Sequence, residues 1–354
     1  MTVYRSLEAV WTRRLAFRRF GLLSGIAFCA APVFALTSRT PADAGDVVAV
    51  ASQSLLYALV IGVPLSAMEA ADFMRKARGR TRSLPFTALF LAKTLVYAAW
   101  ITVGAAIAGA FTHSHDETPW EDLLLHKGTL VAAASTAFII NVFLAASRLI
   151  GWKSLFSVIS GRYHTPKTED RLFAFVDVKG ATAAAEQLGD LRFQTFLADL
   201  FRIIELTALE AGGEVHDYIG DQVMIMWSVG PGDKARPLHW VARLNRELAA
   251  SRAGFEATYG LAPEIRIGMH LGPVIIGEVG LFRTKLTCLG DAVNTAARVE
   301  ELAQAYSAGA LVTEAVLDRF RIPRDALRAS PLGRQALRGK HGLVPIFRLD
   351  LVEE

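Results

Sequence analysis

The first 150 residues contain four long apolar stretches, Phe20 to Leu36, Val47 to Met68, Pro85 to Phe111 and Gly128 to Ile150. No other feature of the chain restricts its fold so strongly. A helix rises about 1.5 Å per residue, so roughly 20 apolar residues cover the hydrocarbon core of a bilayer, and each stretch is near or above that length. Hydrophobic residues make up 52% of the 354-residue chain and the mean hydropathy is +0.33, high for a protein that lives wholly in water. The expected architecture is an all-α transmembrane block of four helices over 1–150, a linker over 151–169 and a second domain over 170–354.

Four spans put both ends of the block on one side, and the flanking charges say which. Arg13, Arg14, Arg18 and Arg19 precede the first span, and Arg75, Lys76, Arg78, Arg80 and Arg82 fill the loop between the second and third. The loop between the third and fourth, Thr112 to Lys127, carries Asp116, Glu117, Glu121 and Asp122 against Lys127 alone. The expected localisation is multi-pass in the cell's inner (plasma) membrane, and under the positive-inside rule the N-terminus and everything after Ile150 are expected in the cytoplasm. The competing reading of the first stretch is a cleaved signal peptide, which would leave three spans and put the C-terminal half outside. Cys29 and Cys288 make no disulfide framework and fit a reducing compartment. His113, His115 and His126 lie outside the spans and read as loop residues rather than haem ligands; a periplasmic metal or pH sensor built from His113, His115, Asp116 and Glu117 is the alternative. Trp152 and Lys153 suit the membrane interface, and the segment that ends in polar linker at Pro166 reads either as a coupling element or as a passive tether.

The C-terminal half has another character. Strands are expected over Leu172 to Val178, Glu264 to His270 and Val274 to Val279, and before Gly290, with a hairpin over Glu214 to Trp227. Helices are expected over Ala183 to Leu209 with a kink near Gly189, over Lys234 to Thr258 and over Asp291 to Ala303. Helices interleaved with hairpins predict an α+β sandwich. Within the hairpin, Gly220-Asp221 between two β-prone runs marks a tight turn that holds the Asp221 carboxylate at its tip. Asp177 closes the run Leu172-Phe173-Ala174-Phe175-Val176. Two acids at the ends of neighbouring strands suit a hard cation, although each alone reads as a turn residue or an N-cap. Asp291 stands where an N-cap would, and Asn294 and Arg298, four apart on the following helix, offer an amide and a cation from one face, suited to a sugar and a phosphate.

Four motifs in order carry a family resemblance: Phe175-Val176-Asp177 with Gly180 and Thr182; Ile219-Gly220-Asp221; Gly268-Met269-His270-Leu271-Gly272-Pro273-Val274; and Gly290-Asp291-Ala292-Val293-Asn294-Thr295-Ala296-Ala297-Arg298. Together they resemble the catalytic domain of class III nucleotide cyclases over roughly residues 170 to 350. The resemblance implies a ferredoxin-like, palm-like mixed sheet covered by helices. It also implies a reaction in which the 3'-hydroxyl of a nucleoside triphosphate attacks its own α-phosphorus and pyrophosphate leaves. On the family pattern Asp177 and Asp221 bridge two Mg²⁺ or Mn²⁺ ions, with the Val178 carbonyl as a further ligand. The backbone N–H groups around Gly180, Ala181 and Thr182 then cradle the β- and γ-phosphates. Asn294 orients the ribose and Arg298 stabilises charge on the α-phosphoryl group; the plainer reading of Arg298 is a surface ion pair with Glu301. In Leu337-Arg338-Gly339-Lys340, either Arg338 or Lys340 brings one more cation to the triphosphate. The family site forms across a homodimer interface, metal-binding acids from one subunit facing base-reading and transition-state residues from the other. No nucleic-acid partner is expected.

Two positions depart from the pattern. Adenylate-forming members place a Lys four residues before the second metal Asp and an Asp or Thr three residues before the Gly of the last motif, and here those positions hold Asp217 and Thr287. Thr287 fits an adenylate-forming subgroup. Asp217 is an acid, as in guanylate-forming members, whose Cys at the second position is matched only by Cys288, one residue late. The expected activity is a membrane-anchored adenylate cyclase that converts ATP to 3',5'-cyclic AMP in cytoplasmic signal transduction. The alternatives are a guanylate cyclase acting on GTP and a catalytically silent nucleotide-binding receptor. A transporter is disfavoured because the spans carry few charges, Lys93 within the third and Glu69 and Asp72 at the edge of the second.

Overall fold

The structure, a computed structural model, describes residues 16–17, 20–29, 31–32, 44–77, 86–112, 127–150, 160–230, 236–280, 285–340 and 342–352. The chain divides into an N-terminal unit, Tyr4–Leu155, and a second unit that holds Phe156–Glu354.

The N-terminal unit is helical. Its elements are α1 (Phe20–Cys29), α2 (Ala44–Tyr57), α3 (Val63–Ala77), α4 (Phe86–Thr112) and α5 (Lys127–Ile150), with a π-helical turn, Ala58–Gly62, running α2 into α3. Among the described residues two helical runs are long and apolar enough to cross a membrane, Val47–Ala71 and Thr87–Ala108. The apolar helices in the first and fourth stretches, Phe20–Cys29 and Ala134–Ala146, are shorter. Of the loop charges that orient the block, Arg75 and Lys76 belong instead to the last turn of α3, which runs on past the expected span, and Lys127 opens α5; the remaining loop charges, the three loop histidines and residues 151–159 of the linker lie outside the described residues. Two of the charges noted in the spans are paired with one another: the Lys93 ammonium and the Tyr97 hydroxyl both bond the buried Glu69 carboxylate, tying α4 to α3. Asn141 of α5 donates to Thr94 Oγ1 of α4 at 2.8 Å. In apolar surroundings an unpartnered polar group is costly, so such contacts hold helices together.

The second unit is built on one mixed sheet of order β2-β3-β1-β4-β6-β8-β7, with β5 pairing β4 off this path. The strands are β1 (Lys167–Val178), β2 (Glu214–Ile219), β3 (Gln222–Ser228), β4 (Ile265–Val279), β5 (Lys285–Leu289), β6 (Ala310–Thr313), β7 (Leu327–Ala336) and β8 (Leu343–Leu351). The helices are α6 (Ala181–Leu188), α7 (Asp190–Glu210), α8 (Pro237–Tyr259), α9 (Asp291–Ala305) and α10 (Glu314–Arg319). β1 lies between β3 and β4, antiparallel to both, and is buried without a break from Arg171 to Val176. Covering on both faces is why it reads as a continuous apolar run instead of alternating. One face packs Phe173, Phe175, Met224, Met226, Val274, Ile276 and Cys288 with Ala292 and Ala296 of α9. On the other side of β3, Trp227 meets Trp240 of α8 with ring centroids 5.2 Å apart.

Three local expectations are corrected. The helix foreseen with a kink is two helices, α6 and α7, because Gly189 adopts φ 73° and ψ 154°, which no helix continues through. The two strands expected on either side of Leu271-Gly272-Pro273 are one strand, β4. Pro273 is tolerated because β4 pairs β6 over Ile267 to Met269 and β5 over Ile275 to Val279, so on that side the proline has no ladder bond to donate. Asp291 is not the N-cap of α9 but its first residue; Gly290 takes the cap position, and the Asp291 carboxylate pairs with Lys340 at 2.5 Å.

Candidate active site

The hairpin geometry brings the two aspartates together. Asp177, one residue from the end of β1, stands opposite Gln222, the first residue of β3. Ile219 pairs with Gln222 across a two-residue turn, Gly220-Asp221, in which Gly220 has φ 64°, a left-handed value that costs glycine little. Asp221 is therefore the chain neighbour of Asp177's cross-strand partner. Burial raises the Asp177 carboxyl above the usual range, the Arg266 hydrogen bond draws it back, and the negative charge of Asp221 pushes it up again. Two hard oxygen donors that repel one another gain from a cation between them. Among the described residues no group of three or more His, Cys, Asp or Glu is set to hold a metal; the expected donors are the two carboxylates and, on the family pattern, the Val178 backbone carbonyl. That chemistry fits Mg²⁺ or Mn²⁺, which take oxygen ligands from one or two carboxylates and complete their shells from phosphates and water.

The sequence reading missed two residues here. Arg266 of β4 stands opposite Asp177 and ion-pairs with its Oδ2. The same guanidinium reaches Glu300 of α9 at 3.3 Å, and Gln222 Nε2 donates to the other Glu300 oxygen at 3.1 Å. Glu300 is 4% exposed, and its carboxyl is pushed up to about 7, first by burial and then by the charge of Asp177. Arg266 lies two residues before the Gly268 motif and Glu300 two after Arg298, so each adjoins a noted motif.

The remaining expected residues sit as follows. Gly180, with φ 67°, caps α6, and Ala181 and Thr182 open its first turn, where backbone N–H groups lack helical partners. Asn294 is exposed on α9, and Arg298 ion-pairs with Glu301, as its plainer reading had it. No hydrogen bond or ion pair among the described residues joins Asn294 or Arg298 to Asp177 or Asp221. Asp217 of β2 ion-pairs with Lys285 of β5, and Thr287 Oγ1 donates to the Gly277 carbonyl at 3.2 Å. Arg338 is exposed, whereas Lys340 is partly buried against the start of α9. His270, from the Gly268 motif, has Nδ1 2.8 Å from Thr313 Oγ1; burial first, and then the charge of Lys340, lower its pKa to about 4.

The sequence pattern of the adenylate and guanylate cyclase catalytic domain matches residues 165–347, about half the chain. Adenylate cyclase 2 of Rhizobium meliloti (strain 1021) is 32% identical over 300 residues, covering 83% of this chain and 82% of that protein. An adenylate cyclase of Anabaena cylindrica is 33% identical over 154 residues, 42% of this chain but 30% of that protein. Retinal guanylyl cyclase 2 of Rattus norvegicus is 27% identical over 172 residues, 47% of this chain and 15% of that protein. A bacterial light-regulated adenylyl cyclase of solved structure superposes with a TM-score of 0.55 at 21% identity, over 64% of this chain and 66% of that one, which speaks for the fold. On the catalytic-domain match and the relative that spans most of both chains, this protein belongs to the class III adenylate and guanylate cyclase family.

Proposed function

We propose that the chain is a membrane-anchored adenylate cyclase, forming 3',5'-cyclic AMP and pyrophosphate from ATP. The observation that carries this reading is that Asp177, at the end of β1, lies close enough to Asp221, in the adjoining turn, for the two charges to repel, inside a domain of the cyclase family. Asp177, Asp221 and the Val178 carbonyl would hold two Mg²⁺ or Mn²⁺ ions, which when bound lower the pKa of the ribose 3'-hydroxyl and neutralise the triphosphate. The protein's own part is positioning and charge stabilisation, since the reaction asks nothing covalent of it. N–H groups of Gly180, Ala181 and Thr182 hold the β- and γ-phosphates at the start of α6. Asn294 orients the ribose. Arg298 leaves Glu301 to stabilise charge that builds on the α-phosphoryl group. Of the two tail cations, Lys340 is assigned to the triphosphate, because it already meets an anion beside α9 while Arg338 points to solvent.

The family pattern is what supports a homodimer whose two sites each take acids from one chain and α9 residues from the other; among the described residues Asn294 and Arg298 bond neither aspartate. The runs Val47–Ala71 and Thr87–Ala108 support membrane anchoring. The loop charges support a cytoplasmic catalytic domain in the inner membrane, arranged as 1–150 anchor, 151–169 linker and 170–354 enzyme. The adenylate cyclase from Rhizobium meliloti favours ATP. The acid at 217 and the retinal guanylyl cyclase relative are what favour GTP as the second reading.

The test is to incubate the full chain in detergent with ATP or GTP and Mg²⁺ or Mn²⁺, with the Asp177→Asn variant as control. Cyclic AMP from the parent protein and none from the variant is the expected outcome. Cyclic GMP alone would replace the substrate, and nucleotide binding without product would leave a silent receptor.

A further inference from the structure

Helix α9 meets the sheet at Glu300. Gly268 of β4 lets the two come together there, for a Cβ at that position would stand 2.1 Å from the Glu300 backbone nitrogen. The Glu300 side chain is buried, and its two oxygens have partners on different strands: Oε1 accepts from Arg266 Nε of β4 at 3.3 Å, and Oε2 from Gln222 Nε2 of β3 at 3.1 Å. Both partners lead to the aspartate pair. Arg266 ion-pairs with Asp177, while Gln222 follows Asp221 in the chain and stands opposite Asp177 across the ladder. A helix turns about 100° per residue, so Arg298, two residues before Glu300, stands on the other, outer face of α9 with Asn294. One buried carboxylate thus touches the setting of the acids on one side and the footing of α9 on the other.

Arg266 makes this joint responsive. Its guanidinium is divided between two carboxylates, Asp177 and Glu300, with Asp177 the closer. Once a divalent cation neutralises the Asp177–Asp221 pair, like charge repels the guanidinium from that side, and Glu300 is the carboxylate left to it. A charge-assisted bond that shifts toward Glu300 fixes α9 more firmly to β4. Two arrangements of one side chain, biased by a ligand, are what coupling between sites requires.

We infer that Glu300 is a positioning residue that couples the two sites of the dimer: cation loading at the acids of one chain seats that chain's α9, and with it the Asn294 and Arg298 that the same chain lends to the other site. This rests on the shared-site cyclase reading given above and adds to it a route by which each site assists the other.

The test uses two dimers with one complete site each, purified through a different tag on each chain. In both, one chain carries Arg298→Ala; the second chain is the parent in the first dimer and Asp221→Asn in the second dimer. Each keeps the site made from the acids of the Arg298→Ala chain and α9 of the second chain, and only the first dimer can load cation at the incomplete site. The first is expected to exceed the second by about fivefold or more in kcat/KM for ATP, the low end of coupling between sites. Glu300→Gln added to the second chain of both dimers is expected to bring that ratio within twofold, whereas Glu300→Gln added to the Arg298→Ala chain is expected to leave the ratio in place, a contrast that a merely structural glutamate would not produce. A ratio within twofold before Glu300 is changed, one that survives Glu300→Gln in the second chain, or one lost equally from either chain would overturn the inference and leave the shared-site reading standing. Cyclic product from the first dimer and none from the second would overturn both, since each chain would then build its site alone. If the parent forms no cyclic product, Mn²⁺-dependent binding of 3'-deoxy-ATP, which lacks the attacking hydroxyl, is compared across the same dimers, and the same ratios decide for or against the coupling while the enzymatic reading falls.

Discussion

Replacing Gly268 with alanine probes how closely the site helix must approach the sheet. Gly268 lies mid-strand in β4, opposite Phe175 of β1 and Leu311 of β6. A methyl group built there would stand 2.1 Å from the Glu300 backbone nitrogen, 2.5 Å from its Cα and 2.6 Å from its Cβ. The nearest obstacle is helix backbone, which cannot swing aside as a side chain would. Restoring ordinary contact, about 3.4 Å or more, requires α9 to move off β4 by roughly 1 Å. Overpacking of a core costs about 1–3 kcal/mol, and a backbone obstacle belongs at or beyond the top of that range. The helix also carries Asn294 and Arg298, and a displacement of about 1 Å in groups that orient a reacting substrate lowers rate on the order of 100-fold. Gly268→Ala should therefore unfold at clearly lower denaturant concentration and lose about two orders of magnitude in kcat/KM in the cyclic-nucleotide assay. A variant with the parent's unfolding midpoint and turnover would refute the claim that this contact seats α9.

Other outcomes follow from the same geometry. Asp177→Asn and Asp221→Asn should each lower cyclase turnover by about 1,000-fold or more; Asp221→Asn, which relieves the repulsion on Asp177 without breaking the Asp177–Arg266 ion pair, should leave the thermal midpoint unchanged or higher, and a drop in its midpoint matching the loss of turnover would contradict this. Glu300 has a folded-state pKa raised from the usual 4.5 to about 7, so its proton is held more tightly in the folded chain. Stability from this group is therefore complete below about pH 4.5 and falls as pH rises toward 7, by on the order of 3 kcal/mol at most, and Glu300→Gln should flatten the unfolding profile across that window. His270, held down to about 4, works in the opposite sense: between pH 6.5 and 4 the unfolded chain takes up a proton that the folded one refuses, so stability falls on acidification and His270→Gln should lessen the fall.

Local chemistry made part of the site readable from sequence. The Gly220-Asp221 turn needs only a residue tolerant of left-handed φ between two β-prone runs, and Asp177 needs only to end an apolar one. What was hidden depends on register and on contacts between distant segments. Arg266 meets Asp177 across 89 residues of chain, and a slip of one residue in that pairing would have turned its side chain to the opposite face. Glu300 was read past because a buried acid becomes intelligible only once Arg266 and Gln222 are beside it. Pro273 suggested a break where the strand continues, since pattern alone does not say which side of a strand lacks a partner. In the helical unit, hydropathy marked the apolar stretches, but the bonds of Lys93 and Tyr97 to Glu69 depend on how helices pack.

The central claim is that a working site takes Asp177 and Asp221 from one chain and Asn294 and Arg298 from its partner. Mixing two inactive chains, Asp221→Asn and Arg298→Ala, under conditions that let subunits exchange, tests it directly. If sites are shared, each mixed dimer holds one site with both defects and one with neither; random pairing in equal amounts should then restore about one quarter of the parent's activity, up to the coupling between sites. No recovery, with mixed dimers shown to have formed, would mean that each chain builds its site alone.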